Sequence, residues 1–256
     1  FIFKFSLSAV ILSGIIAFSL PNIYSSKALL IPENESESIS SQLGGYASLA
    51  GMAGISLPGE ASSKSIEAME RIKSFSFFKD YFLPNIKFKD LYGVKRWEKD
   101  TNNIIYKKET LNKYNFLHVK VPSDQEAYEI YKEILSISES KATKFVSISI
   151  KHKSPYIAKQ WLDIIITNIN ESMREEDKQI ATNSINFLNE TAKDTNLSEL
   201  REAISLLLES QMKTLMLSSA SDDYVYKVLD QPIPPEIKSE PNRILILFLG
   251  GFLGLL

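Results

Sequence analysis

The feature that most restricts this chain is an absence: from Tyr156 to Gln231 there is neither a glycine nor a proline. Ser154-Pro155, just before it, reads as a helix start, with serine at the N-cap and proline at the first helical position, where no N–H is required. Trp161, Ile165, Ile169, Met173, Ile180 and Leu188 then recur at helical period. A break is expected at "KDTNLSEL", where Asn196 and Glu199 have capping-box spacing. At 1.5 Å per residue, a helix from Pro155 to Asp194 runs on the order of 60 Å. That exceeds the diameter of an ordinary small domain, so the helix has to project from the body. A single helix in water does not support itself. The returning helix, Ser198 to about Ser219, covers part of the stripe, and neighbouring copies of the chain are expected to cover more.

The remainder alternates strand and helix signals. "YSSKALLIP" from Tyr24 reads as a strand, and Ser62 to Phe78 as a helix with Ile66, Met69, Ile72 and Phe75 on one stripe. "FLHVKV" from Phe116 reads as a strand. "PSDQEAYEIYKEIL" opens with Ser123 and Glu126 in capping-box spacing and continues through Ala127, Ile130, Tyr131, Ile134 and Leu135. "KFVSISIKH" alternates, with Val146, Ile148 and Ile150 on one face, and "DDYVYKVLD" is a further strand. The fold class expected is α+β: a mixed base with a long helical arm. Five of the ten glycines cluster between Gly44 and Gly59, a pliable small-residue segment that lacks the lysine of a phosphate-binding loop.

Both ends are apolar. Phe5 to Leu20 and Ile244 to Leu256 carry no charge. A spanning helix needs roughly 20 apolar residues, and both runs are shorter but lie at the ends of the sequence, which starts at Phe1 and stops inside an apolar run. The expectation is two transmembrane helices around a soluble domain, within a longer chain. A cleaved signal peptide is the alternative for the first run, although "LPNIYSSKALL" shows no A-x-A site, and a buried core helix is the alternative for the second. Four prolines, Pro232, Pro234, Pro235 and Pro241, precede the second run. Proline fixes φ and resists both helix and sheet, so the segment reads as a semi-rigid strut into the second span, with a plain linker as the alternative.

No catalytic constellation stands out. The net charge of −2 points to no nucleic acid, and the absence of cysteine excludes thiol chemistry. His118 and His152 lie far apart, each in a strand, as structural histidines do. The carboxylates are scattered among lysines on helix faces, "SMREEDKQ" being typical. Asp222-Asp223 fits a turn or helix end better than a cation site. The chain is read as a non-enzyme with no cofactor and no metal.

Several blocks, in order, resemble one family. "YSSKALLIP", "LGGYASLAGMAGISL", "SIEAMERIKSFSFFKDYF" and "VPSDQEAYEIYKEIL" come first. The most specific are H-x-S-P-x-x-A-x-x-W, from His152 to Trp161, and P-x-x-P-E-x-K-S-x-P-N-R, from Pro232 to Arg243. Taken together between two apolar ends, they resemble the Wzz-type chain-length determinants, the polysaccharide co-polymerases of Gram-negative inner membranes. Lys99 to Lys113 matches less clearly and is read as a variable hairpin.

The resemblance implies a first transmembrane helix over 1–21 and a membrane-proximal α+β periplasmic domain over 22–153. A helical hairpin arm (154–221), a returning strand and proline-rich strut (222–242) and a second transmembrane helix (243–256) follow. It implies a two-pass inner-membrane protein that forms a ring-shaped homo-oligomer, with a Wzy-type polymerase and a lipid-linked glycan as partners. Its role would be to set the modal length of O-antigen lipopolysaccharide or a related polysaccharide. A two-span periplasmic adaptor or sensor of an export system is the alternative. The residues expected to carry structure and coupling are Ser154, Pro155 and Trp161 at the arm's root, and Pro235, Glu236, Pro241 and Arg243 in the strut. Gly250 and Gly254 form a G-x-x-x-G groove in the second helix, facing either the Ser13, Gly14 and Ala17 patch of the first helix or the polymerase; ordinary membrane-helix composition is the other explanation.

Overall fold

The computed structural model describes residues 2–33, 61–107, 122–194, 198–220 and 223–254. The glycine cluster, the Phe116 strand with His118, the Asn196–Glu199 cap and Asp222 lie outside the described residues.

In chain order the elements are α1 (Ile2–Ser19), β1 (Tyr24–Pro32), α2 (Ala61–Lys73), α3 (Phe88–Tyr92), β2 (Val94–Glu98), β3 (Asn103–Tyr106) and α4 (Asp124–Ile134). Then come β4 (Leu135–Glu139), β5 (Val146–His152), α5 (Pro155–Asp194), α6 (Ser198–Ala220), β6 (Tyr226–Asp230) and α7 (Arg243–Leu253). Four strands form an antiparallel sheet in the order β4-β5-β1-β6, and β2 and β3 form a separate hairpin. The architecture is α+β with one long helix.

Register places the alternating apolar positions of neighbouring strands together. Tyr24 pairs with His152, Ser26 with Ile150, Ala28 with Ile148 and Leu30 with Val146, and all eight are buried on one face. A one-residue slip would turn that face to solvent. Onto it pack Ile157, Trp161, Leu162, Ile165 and Ile169 of α5, together with Phe77, Phe78, Phe82 and Tyr131. Each fully buried apolar side chain of this size contributes about 1.5–3 kcal/mol. The Tyr131 and Tyr226 hydroxyls, which would otherwise be stranded in this core, donate to the Ile72 and Ser65 carbonyls at 2.8 and 2.7 Å. Burial pushes the pKa of both phenols upward, Tyr226 to about 12.

The helix α5 runs alongside β1. Its first turn follows His152, which pairs with the start of β1, while Asn170 bonds Tyr226, which pairs with Pro32 at the end of β1. The helix therefore leaves the base at the end of the sheet opposite α1. Its 40 residues amount to about 60 Å, and beyond the base Leu188 packs with Ile204 and Leu207 of the returning α6.

Four sequence readings need correction. The helix expected over 62–78 stops at Lys73. Ser74 is extended and its side chain caps a new turn through Phe77 N–H at 3.1 Å, and a wide turn over Phe78–Phe82 then brings both of its phenylalanines into the core. Ile66 is exposed and Ala68 takes its buried place. Leu135 does not continue α4: its backbone is extended and it pairs with Ile150 as the first residue of β4. Ile180 is exposed on the arm, where Ala181 and Ser184 are the buried positions, small enough for α6 to approach closely.

No described helix is long and apolar enough to cross a membrane; α1 has 18 residues and α7 has 11.

Candidate functional site at the foot of the base

The two ends of the chain meet beneath the sheet. Beyond Asp230, which pairs with Leu29, the proline-bearing segment stays beside β1. Ser26 Oγ donates to the Ile233 carbonyl at 2.9 Å. Further down, Ile23 N–H donates to the Glu240 carbonyl at 2.9 Å, and Ser239 N–H donates to Ile23 O at 2.8 Å. The strut spends Ile233 to Glu240 on the distance β1 covers between Ser26 and Ile23, so it bows outward in between. Proline explains the form: the segment follows an extended strand without a full ladder of N–H donors. Pro232 is buried, Pro235 and Pro241 are partly covered, and Glu236 is exposed. The Glu240–Pro241 peptide is cis. Lys151 on β5 reaches Glu240 at 2.6 Å.

At Asn242 the strut becomes helix, and the Asn242 side chain accepts the Leu245 N–H at 3.3 Å. Arg243 then turns back on the first helix. Its Nε donates to the Ala17 carbonyl at 3.1 Å, a terminal nitrogen donates to Asn22 Oδ1 at 3.0 Å, and the guanidinium lies 5.0 Å from the centre of the Phe18 ring. The helices α1 and α7 pack antiparallel from there. A Cβ added to Gly14 would lie 3.5 Å from Leu247 Cδ2, and one added to Gly251 would lie 3.4 Å from Val10 Cγ2. The glycine described against the first helix is thus Gly251, the neighbour of Gly250. Ile11, Ile15 and Phe18 of α1 and Ile244, Phe248 and Phe252 of α7 point outward and are exposed.

The first turns of α5 lie against the same end of the base. Ser154 is buried; its N–H donates to His152 Nδ1 at 2.9 Å, and its carbonyl accepts the Ala158 N–H at 3.1 Å. With Nδ1 an acceptor, the His152 ring is the neutral Nε2–H tautomer, and it donates to the Asp90 carbonyl at 3.0 Å. Burial holds its pKa below the usual histidine range, against the opposing pull of these backbone bonds. Trp161, 2% exposed, lies edge-on between His152 and Phe82 at centroid distances of 4.8 and 5.6 Å. Asp90 also accepts a 2.6 Å bond from Tyr106, whose hydroxyl is pushed up to about 12 by burial and by that carboxylate.

Between the foot of α1 and the β2–β3 hairpin lies an open cleft of about 460 Å³. Lys95, Arg96, Lys107, Lys153 and Arg243 line it, with Trp97, Phe18 and Leu20, and among the described residues no carboxylate does. Lys153 Nζ donates to the Val94 carbonyl at 2.7 Å, and its pKa is lowered by burial and then by the charge of Lys107. Sequence reading missed this cleft because its cations come from four separate stretches. It also missed Asn170, an amide within a stripe that reads as apolar.

These arrangements can hold, orient and bind, and the described residues include no grouping of His, Asp and Glu suited to a metal ion. No protein-family model matches the chain, and no curated protein matches it. Among solved structures the chain is similar to one described as a full-length bacterial polysaccharide co-polymerase, at 12% identity over 98% of this chain and 90% of that one, with a TM-score of 0.36. It is also similar to a fragment of WzzB, the polysaccharide co-polymerase from Salmonella Typhimurium, at 14% identity over 86% of this chain and 100% of that one, with a TM-score of 0.35.

Proposed function

We propose that the chain is a non-catalytic polysaccharide co-polymerase of the Wzz type, anchored by α1 and α7 in the bacterial inner membrane with its base and arm in the periplasm. The observation that carries this reading is the foot of the base. Two adjacent, antiparallel lengths of chain, β1 and the strut, run directly into two helices that pack on each other and turn large apolar side chains outward. Such surface is unfavourable in water at about 25 cal/mol per Å², and an apolar patch of this kind marks a membrane or partner surface. The arm leaves from the opposite end of the sheet, so anchor and arm are separated by the whole base.

In this reading the domain organisation follows the sequence: spans over 1–21 and 243–256, the base over 22–153, the arm over 154–221 and the strut over 222–242. Copies stand side by side as a homo-oligomeric ring, arms outward from the membrane. The ring acts by geometry and weak binding on a Wzy-type polymerase and its lipid-linked glycan, and so sets the modal length of O-antigen or a related polymer. The sequence blocks from His152 to Trp161 and from Pro232 to Arg243 support it.

The test is deletion of the gene followed by electrophoresis of the surface polysaccharide. Polymer that persists but loses its modal length, regained on complementation, supports the proposal. An unchanged ladder overturns it, and so does the loss of all polymer, which would point to a step in synthesis or export.

A further inference from the structure

We propose that the basic cleft at the foot of the base binds the phosphate-bearing headgroup of a lipid. The inference rests on the reading of α1 and α7 as membrane-embedded and goes beyond it by naming a ligand class and its residues.

Most of the positive charge in the cleft is uncompensated. Of the five cations around the cleft, Arg96 is paired with Glu98 at 2.8 Å. Lys95, Lys107, Lys153 and Arg243 have no carboxylate within ion-pair distance among the described residues. Lys153 is held against the Val94 carbonyl, which orients its ammonium without neutralising it. Arg243 spends Nε and one terminal nitrogen on Ala17 and Asn22, and its other terminal nitrogen has no described partner. Like charges gathered in one cleft repel. A phosphate or diphosphate relieves the repulsion and accepts several charge-assisted hydrogen bonds at once.

One wall of the cleft is apolar. The cleft's lower lip is made of Phe18 and Leu20, exposed apolar side chains at the end of α1. A free anion gains nothing from them. An amphiphile places its phosphate among the cations and its chain along the outward face of α1, next to Ile15 and Ile11. Trp97 lies beside both regions, where an indole suits a polar–apolar boundary.

The test titrates the full chain in nonionic detergent with farnesyl diphosphate and with inorganic diphosphate, by calorimetry. We expect farnesyl diphosphate to bind and inorganic diphosphate to bind about tenfold more weakly or worse. Lys95→Ala with Lys107→Ala, which change exposed side chains, should weaken farnesyl diphosphate about tenfold or more, and the matching Lys→Arg pair should retain binding. Equal affinity for the two diphosphates overturns the lipid assignment. No binding, or no loss in the alanine pair, overturns the site. Flotation with phosphatidylcholine vesicles separates this from the reading beneath it: a chain that fails to float refutes the embedded helices, whereas one that floats but ignores farnesyl diphosphate refutes the cleft alone.

Discussion

The Asn170 side chain meets the Tyr226 backbone at both of its polar groups: Nδ2–H donates to the Tyr226 carbonyl and Oδ1 accepts the Tyr226 N–H, each at 2.9 Å. Oδ1 also accepts the Val225 N–H at 2.9 Å. The pair is buried where α5 leaves the base and β6 enters it, so one side chain fixes the arm's root against the sheet's edge strand.

Asn170→Ala should therefore destabilise the protein by about 2–4 kcal/mol, because it strands buried peptide groups as well as removing bonds. Denaturant unfolding of the full chain in detergent measures this. Asn170→Asp keeps the acceptor but faces a carboxylate to the Tyr226 carbonyl, so it should not rescue. A cost below about 0.5 kcal/mol, the ordinary range for a surface change, would contradict the assignment.

Trp161→Ala should cost about 3–5 kcal/mol, as for other buried aromatics, while Trp161→Phe should cost less because it retains contact with Phe82 and His152. An unchanged melting temperature in the alanine variant would remove Trp161 from the core.

Acid should weaken the fold through His152. Its pKa is lowered in the folded protein, so below the ordinary histidine pKa of about 6.5 the unfolded chain takes a proton that the folded chain resists. By linkage, stability is full above that pH and falls as the pH drops from it through the folded pKa. Protonation also removes the Nδ1 acceptor that Ser154 N–H requires. Comparing melting temperatures at pH 7.5 and 5.5, His152→Gln should be less stable than the parent at the higher pH but lose less on acidification. Parallel losses in both proteins would assign the acid sensitivity to other groups.

Gly251→Leu should disturb the α1–α7 pairing more than Gly250→Leu, since a bare Cβ at Gly251 already reaches contact with Val10 and the larger leucine side chain has to displace it. With length control as the function, the polysaccharide ladder should broaden in Gly251→Leu at parental protein level. A normal ladder there, with a broadened one in the Gly250→Leu, Gly254→Leu double variant, would return the contact to the G-x-x-x-G face.

Local rules were legible wherever one residue type dictates one backbone. The Ser123–Glu126 capping box forms with both of its bonds, at 3.3 and 2.9 Å. Pro155 opens the long helix, and the alternation of Val146, Ile148 and Ile150 is the buried face of β5. Leu135 misled because helical period continues across a boundary that only strand pairing defines, and Ile66 because packing turns the Ser65, Ala68, Met69 and Ile72 face of α2 inward and leaves the isoleucine outside. The hairpin read over Lys99 to Lys113 has its turn and second strand within that range, but its first strand, Val94–Glu98, lies upstream. Asn170 gave no signal: an amide's value depends on which peptide groups stand opposite, and those lie more than fifty residues away. The cleft was invisible for the same reason, since Lys95, Lys107, Lys153 and Arg243 become neighbours only after the sheet and the terminal helices assemble.

The path of the strut beside β1 has a mechanical consequence. The two lengths are antiparallel, and each continues into a helix at the same end. Drawing α1 and α7 apart therefore loads the Arg243 bonds to Ala17 and Asn22 first, then the Ile23–Glu240 pair, the Ser26–Ile233 bond next and the Leu29–Asp230 pair after that. The bonds give way in turn, as in peeling, and do not share the strain as they would in shear. A lateral tug at the foot opens the edge of the sheet from the bottom upward, and the junction with the arm is the last place to feel it.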